Sequence, residues 1–205
     1  MKMPKQFIIA GIGTEIGKTL ISAIFTQGLR ADYWKPVQSG NPKEADALFI
    51  KQMTQVSEGQ IWESSYLLTQ PLSPHTAAEI DGLRISLNEI KLPATTRPLI
   101  VELAGGILVP LNEKDTNLDL IKQLGFPVVL VSKNYLGSIN HTLLSYEILK
   151  THQIPIAGIV FNGPANPSGE KFILNHTGLK VLLRVPELNK IDLEIIQEYA
   201  KQIEL

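Results

Sequence analysis

Short, wholly apolar runs alternate along this chain with stretches in which apolar positions recur every three or four residues, and that alternation sets the order of elements. The pattern predicts strands over 6–11, 32–37, 98–103, 127–132, 155–161 and 180–185. It predicts helices over 17–29, 43–53, 116–124, 138–151, 167–176 and 192–203. Between 57 and 97 the regularity lapses around Pro71, Pro74 and Pro93, leaving one short strand at 65–68 and a short helix at 86–91. Leu99-Ile100-Val101 and Val128-Val129-Leu130-Val131 are apolar at every position, as parallel strands covered on both faces are. Ligands of such sheets sit at the strand C-termini, which selects the loops after residues 11, 37, 103, 132, 161 and 185.

The first of these loops carries the most chemistry. Gly11-Ile12-Gly13-Thr14-Glu15-Ile16-Gly17-Lys18-Thr19 follows an apolar strand and opens an amphipathic helix marked by Leu20, Ile24 and Leu29. Its glycines let backbone amides curl around a polyphosphate, Lys18 reaches the outer phosphate oxygens, and the Thr19 hydroxyl completes a magnesium shell. The positive end of the helix dipole adds to the same site. The strict phosphate-loop pattern has four residues between its two key glycines; here Gly11 and Gly17 have five between them, and Ile12 stands where the strict first glycine would be. A plain glycine-rich turn would leave Lys18 and Thr19 unexplained. The expected fold is therefore α/β and P-loop NTPase-like, with a mostly parallel sheet and helices on both faces.

Composition narrows the picture. The 205 residues suit one α/β domain spanning 1–205. A domain of this size buries roughly 70% of its unfolded surface and needs no disulfide staple, and the chain has no cysteine. Nineteen Lys and Arg stand against 20 Asp and Glu, with no basic run of the kind that marks a nucleic-acid partner. The apolar run before Gly11 is too short for a signal-peptide core or a membrane span, so a cytoplasmic enzyme with no membrane partner is expected. His75, His141, His152 and His176 are scattered without the spacing of a transition-metal site. The last predicted helix places Leu193, Ile196, Ala200 and Ile203 on one face, which reads as packing against the core rather than as a membrane anchor.

Further candidates sit at other strand ends. Glu102 closes the strand Pro98–Glu102 ahead of Ala104-Gly105-Gly106; beside a phosphate loop it either holds magnesium or forms a structural ion pair. Asp46 lies on the helix after the second strand, as a metal ligand or as an acid favourable near a helix start. Lys35, at the end of the second strand, either turns into the site or snorkels to solvent. If it turns inward, Lys18 and Lys35 flank a transferred phosphoryl group. The helix opened by Leu136-Gly137-Ser138-Ile139-Asn140-His141 offers free amides to a carboxylate, unless Ser138 merely caps it.

Taken together these segments resemble the dethiobiotin synthetases, over nearly the whole chain. The loop at 11–19 resembles that family's longer-spaced phosphate loop, and Tyr33-Trp34-Lys35-Pro36-Val37-Gln38-Ser39-Gly40 its Lys-Pro-Val segment, followed by Asp46-Ala47-Leu48. Ser73-Pro74-His75, Glu102-Leu103-Ala104-Gly105-Gly106, the segment at 136–141, Asn162 and Val185-Pro186-Glu187-Leu188 continue in the family's order, with Leu103 in place of the usual glycine. The resemblance implies a homodimer that joins 7,8-diaminononanoate and carbon dioxide, with ATP as co-substrate and Mg2+ as cofactor. A carbamate would be phosphorylated and then displaced by the second amine to close a five-membered ureido ring. By the same implication Lys18 and Lys35 are catalytic, and Thr19, Asp46 and Glu102 hold magnesium. ATP would be bound by Gly13, Glu15, Ile16, Gly17, Lys18, Thr19, Leu20 and Asp46, with Asn162, Gly163, Pro186, Glu187 and Leu188 at the adenine. Thr14, Ser39 and Gly105 would contact the diamine or its carbamate, and Gly137, Ser138 and Asn140 the substrate carboxylate.

The rival reading is a nucleotide-switch ATPase of the partition or cell-division type, which shares this fold and acts through a protein partner. Such proteins resemble this chain but carry a signature lysine where Gly13 stands, and often a membrane-targeting terminal helix; both features are missing here. A degenerate domain without turnover would be expected to lose Lys18, Thr19 or Glu102, and all three are kept.

Overall fold

The computed structural model describes residues 6–41 and 45–205. Strand β1 (Gln6–Gly11) is apolar from Phe7 to Ala10 and buried throughout that run. It lies between β6 (Leu99–Gly106) and β7 (Val128–Lys133), the two runs read as doubly covered strands. With β2 (Asp32–Trp34), β4 (Ile61–Trp62), β8 (Ile156–Asn162) and β9 (Val181–Val185) they form a seven-stranded sheet in the order β4-β2-β6-β1-β7-β8-β9. Every described pairing in it is parallel.

The helices follow from handedness. The chain leaves β1 through α1 (Lys18–Leu29) toward β2 on one side, and leaves β6 through α4 (Asn117–Leu124) toward β7 on the other. Right-handed crossovers running in opposite directions place their helices on opposite faces. Accordingly α1 packs with α2 (Asp46–Met53) and α7 (Leu193–Ala200), while α5 (Ser138–Thr151) packs with α6 (Pro167–Thr177). Ile196 of α7 is fully buried, as the reading of that helix as core-packing requires. The reversal of direction opens a crevice at the C-terminal tips of β1 and β6, and the phosphate loop emerges there.

Several expectations are corrected. The strand expected over 32–37 stops at Trp34, because Pro36 has no N–H with which to continue a ladder. The chain turns a corner at Lys35-Pro36, and β3 (Val37–Ser39) pairs instead with β5 (Tyr66–Leu68) in a separate two-stranded parallel sheet. Within 57–97 the short helix near 86–91 is a single 3-10 turn at Leu87–Glu89. The same stretch contains two elements the pattern missed, β4 and α3 (Pro74–Ile80). Pro74, one of the prolines around which the regularity lapses, sits in the first turn of α3, where its missing N–H costs nothing. The last helix ends at Ala200 rather than 203, and α2 begins at Asp46, positions 43 and 44 of its expected span lying outside the described residues.

Candidate active site

The loop after β1 is built by conformations that few side chains allow. Gly17 adopts φ +88, and a Cβ there would fall 2.2 Å from Asn162 Nδ2. Glu15 also takes a left-handed φ of +56, so that Glu15 and Gly17 both turn the chain, the alternation of hands from which anion-binding loops are made. Asn162, at the tip of β8, donates from Nδ2 to the Ile16 carbonyl at 2.8 Å and thereby braces the loop from beneath. Lys18 reaches back over it to the Gly13 carbonyl, 2.8 Å away. Burial first, and Lys35 in addition, push the Lys18 ammonium down to about 8 against the opposing pull of Glu102 and Asp46.

Lys35 turns inward. Held at the corner before Pro36 and only 8% exposed, its Nζ pairs with Asp46 Oδ2 and lies 3.4 Å from Glu102 Oε1. Burial alone would lower its proton affinity, but Glu102 and Asp46 outweigh that and raise it. For Asp46 the balance is the reverse: burial would raise its pKa, but the charge and hydrogen bond of Lys35, with Thr19 and Gln38, hold it below the usual carboxylate range. The Thr19 hydroxyl meets both acids, Asp46 Oδ1 and, at 2.9 Å, Glu102 Oε1; with one proton it donates to one of them at a time. Glu102 is 1% exposed and each of its oxygens has a partner, so the ion pair offered as its alternative role is formed, with Lys35. A hydroxyl and two carboxylates converging within hydrogen-bond reach form a hard-oxygen set, the chemistry magnesium prefers when waters and phosphate complete its shell. The residues fit that ion.

Two residues here were not among the candidates read from the sequence. Tyr33, fully buried in β2, donates its phenol proton to Glu102 Oε2 at 3.0 Å. Burial and the adjacent Glu102 raise its pKa well above the ordinary phenol value, keeping it a donor. Gln38 accepts from the Asp46 amide at 3.3 Å and so fixes the start of α2. A hydroxyl-bearing aromatic next to the lysine corner was the available clue for the first, and none pointed to the second.

The substrate candidates fall into two places. Gly105, with φ +72, neighbours Thr14: a Cβ there would sit in ordinary contact, 3.6 Å, with the threonine hydroxyl oxygen and 2.8 Å from Val109 Cγ2. Ser39 lies at the end of β3, and its buried hydroxyl has no hydrogen-bond partner. Farther along the sheet edge, Gly137 (φ +100) precedes α5, and Ser138, 1% exposed, likewise has an unpartnered hydroxyl. That settles the choice left open for Ser138: it is not a side-chain cap of α5. Gly137 and Asn140 border an open depression of about 730 Å³ together with Asn134, Leu136 and Pro164. Asn162 and Gly163 lie at the tip of β8 beside that of β9, Gly163 N–H donating to the Val185 carbonyl at 2.9 Å, and Pro186, Glu187 and Leu188 follow directly. Ile16 is buried and Leu20 faces the core, so these two contribute backbone alone to the loop. Among the described residues no cluster of three His, Cys, Asp or Glu side chains forms a metal site, and no helix is long and apolar enough to cross a membrane.

Comparison with known proteins bears on this site. A family model described as an AAA domain matches residues 5–194. The ATP-dependent dethiobiotin synthetase of Cytophaga hutchinsonii is 49% identical over 97% of this chain and 97% of its own length. That of Christiangramia forsetii is 44% identical over 98% of this chain and 96% of its own. Among solved structures, the cell division ATPase MinD of Pyrococcus furiosus superposes with a TM-score of 0.60 over 98% of both chains at 14% identity. A ParA family ATPase from Chlorobium tepidum gives 0.58 over 96% of this chain and 89% of its own, again at 14% identity. The two last similarities are of fold.

Proposed function

This chain belongs to the dethiobiotin synthetase family, and we propose that it closes the ureido ring of dethiobiotin from 7,8-diaminononanoate, carbon dioxide and ATP, as a cytoplasmic homodimer of single-domain subunits spanning 1–205. The observation that carries the reading is the meeting of Lys35 with Asp46, Glu102 and Thr19 beside Lys18.

The chemistry needs one amine of the substrate to take up carbon dioxide, releasing a proton and leaving a carbamate. A carbamate oxygen then bonds to the γ-phosphorus as the bond to ADP breaks. Finally the second amine attacks the carbonyl carbon, phosphate departs with the C–O electron pair, and the amine proton is released. Both early steps gather negative charge on oxygens, and the ammonium groups of Lys18 and Lys35 are held in a water-poor crevice to meet it. The amides of Gly13, Glu15, Ile16, Gly17, Lys18, Thr19 and Leu20 cradle the phosphates. Thr19, Asp46 and Glu102 would hold magnesium, which neutralises phosphate oxygens when bound. Asn162, Gly163 and the Pro186, Glu187 and Leu188 turn take the adenine. Thr14, Ser39 and Gly105 orient the diamine, the orphan hydroxyl of Ser39 supplying a hydrogen bond it lacks in the free protein. Gly137, Ser138 and Asn140 receive the substrate carboxylate. Exposed Tyr135, Leu136 and Leu144 beside that receptor support a second subunit closing over it.

Purified protein given 7,8-diaminononanoate, bicarbonate, Mg2+ and ATP should yield dethiobiotin with one ADP per ring closed, and Lys18→Ala and Lys35→Ala should be nearly inactive. Hydrolysis of ATP independent of the diamine, with no ureido product, would sink the reading.

A further inference from the structure

We propose that Tyr33 is a positioning residue that decides how Glu102 faces a divalent cation: the phenol ties down Oε2, leaving Oε1 alone directed at the phosphate loop. This inference rests on the reading of Glu102 as a holder of magnesium. β2 runs beside β6 in parallel register, with Tyr33 opposite Ile100 and Trp34 opposite Val101, so the tyrosine is fixed by the sheet rather than by a loop. Its side chain is completely buried and its hydroxyl lies 3.0 Å from Oε2. The other oxygen, Oε1, meets Thr19 at 2.9 Å and Lys35 at 3.4 Å.

The carboxylate is thus divided, one oxygen toward the protein interior and one toward the site. An untethered glutamate can turn about its last torsion and offer a cation either oxygen or both. Here the phenol proton occupies one lone pair of Oε2 and fixes the plane of the carboxylate, so two-oxygen binding would require the group to turn against a hydrogen bond that water cannot replace. Packing alone does not require the hydroxyl, since phenylalanine fills the same volume. The polar atom is accounted for by its aim at Glu102, as partners behind metal ligands commonly are.

The test uses Mn2+ as the probe cation and calorimetry of ADP binding with Mn2+ present or chelated. Glu102→Gln should lose the metal-dependent gain in ADP affinity; if it keeps that gain, the magnesium reading fails and takes this inference with it. Given that loss, Tyr33→Phe should weaken Mn2+-supported ADP binding about tenfold while metal-free ADP affinity stays within about twofold of wild type. Equal Mn2+-supported affinity in Tyr33→Phe and wild type would overturn the role of Tyr33 alone. A second measurement needs only the wild-type protein: the infrared difference spectrum on adding Mn2+ and ADP, with isotope-labelled glutamate. A wide separation of the two carboxylate stretches, the mark of one-oxygen binding, is expected, and the narrow separation of two-oxygen binding would refute the proposal.

Discussion

The tips of β1, β2 and β6 and the entrance of α5 lie along one sheet edge, but they prepare for ligands in opposite ways. At the first, Lys18, Lys35 and Glu102 are nearly withdrawn from water, Asp46 is half-buried, and each already has a partner. At the second, Ser138 holds an unused buried hydroxyl, and its neighbours Gly137 and Ile139 line a depression rimmed by a fully exposed Leu136. The contrast follows from what each group costs to leave alone. An unpaired buried charge is strongly unfavourable, so the charged half must assemble in the free protein. A lone hydroxyl or a helix-end amide costs far less and can wait for its ligand.

Breaking the charged half should therefore have the largest effect. Lys35→Ala is expected to lower turnover about a thousandfold, in line with removal of a preorganised donor. It should also destabilise the free protein by about 3 kcal/mol, because Asp46 and Glu102 lose their shared cation; steady-state assays and urea unfolding measure both. The raised Lys35 and lowered Asp46 values fix the pH window of that contribution. It is complete above the unfolded aspartate value of about 4 and below the unfolded lysine value of about 10.4. It fades as pH falls through the folded value of Asp46 or rises through that of Lys35.

Lys18 sharpens the comparison, since its pKa moves the other way, down to about 8. Between about 8 and the unfolded lysine value of about 10.4, the unfolded chain binds a proton that the folded one lacks, so ligand-free stability should rise with pH across that window, by up to about 3 kcal/mol. Lys18→Met should remove this slope and make the free protein more stable than wild type at neutral pH, while weakening ATP binding about a hundredfold. Thermal melts across pH together with nucleotide titration check it.

The waiting half should respond more mildly. Ser138→Ala should raise the KM for the diamine about tenfold, leave kcat nearly unchanged and leave the melting temperature within about a degree, because the hydroxyl lost had no partner. Leu136→Lys should leave the subunit's own stability unchanged within about 0.5 kcal/mol. In light scattering it should shift the molecule from dimer to monomer; a dimer that survives would remove the exposed leucine from the interface.

The two halves also differed in legibility. Glycine spacing, Lys18 and Thr19 announced the phosphate loop because each residue type has one obvious use there. Lys35 and Glu102 were legible as charges in apolar strands, where burial demands a partner, although Glu102 lies within β6, which runs on to Gly106, and does not close it. The meeting of Lys35 with Asp46 rests on a corner at Pro36 that the pattern read as continuous strand, since period-two alternation does not reveal which sheet a strand joins. Tyr33 was hidden because a tyrosine in a strand is ordinary packing until its hydroxyl is traced. At the other end, Asn162 was placed at the base by order along the chain; its grip on the Ile16 carbonyl depends on a contact across 146 positions that local pattern does not encode. The helix begun by Pro74 was missed because proline stops a helix when it falls inside one and starts a helix when it falls in the first turn.

The close fit of Asn162 over Gly17 has a bearing on how this sequence can change with time. Two separate bars stand at position 17: a torsion of +88° and a Cβ that would meet an amide at 2.2 Å. Trimming residue 162 to alanine relieves the second and leaves the first, so no single compensating exchange reopens the position. In a selection that randomises both sites, survivors should keep glycine at 17 whatever partner they draw, and lineages descending from this chain inherit that turn as a fixed point around which the rest drifts.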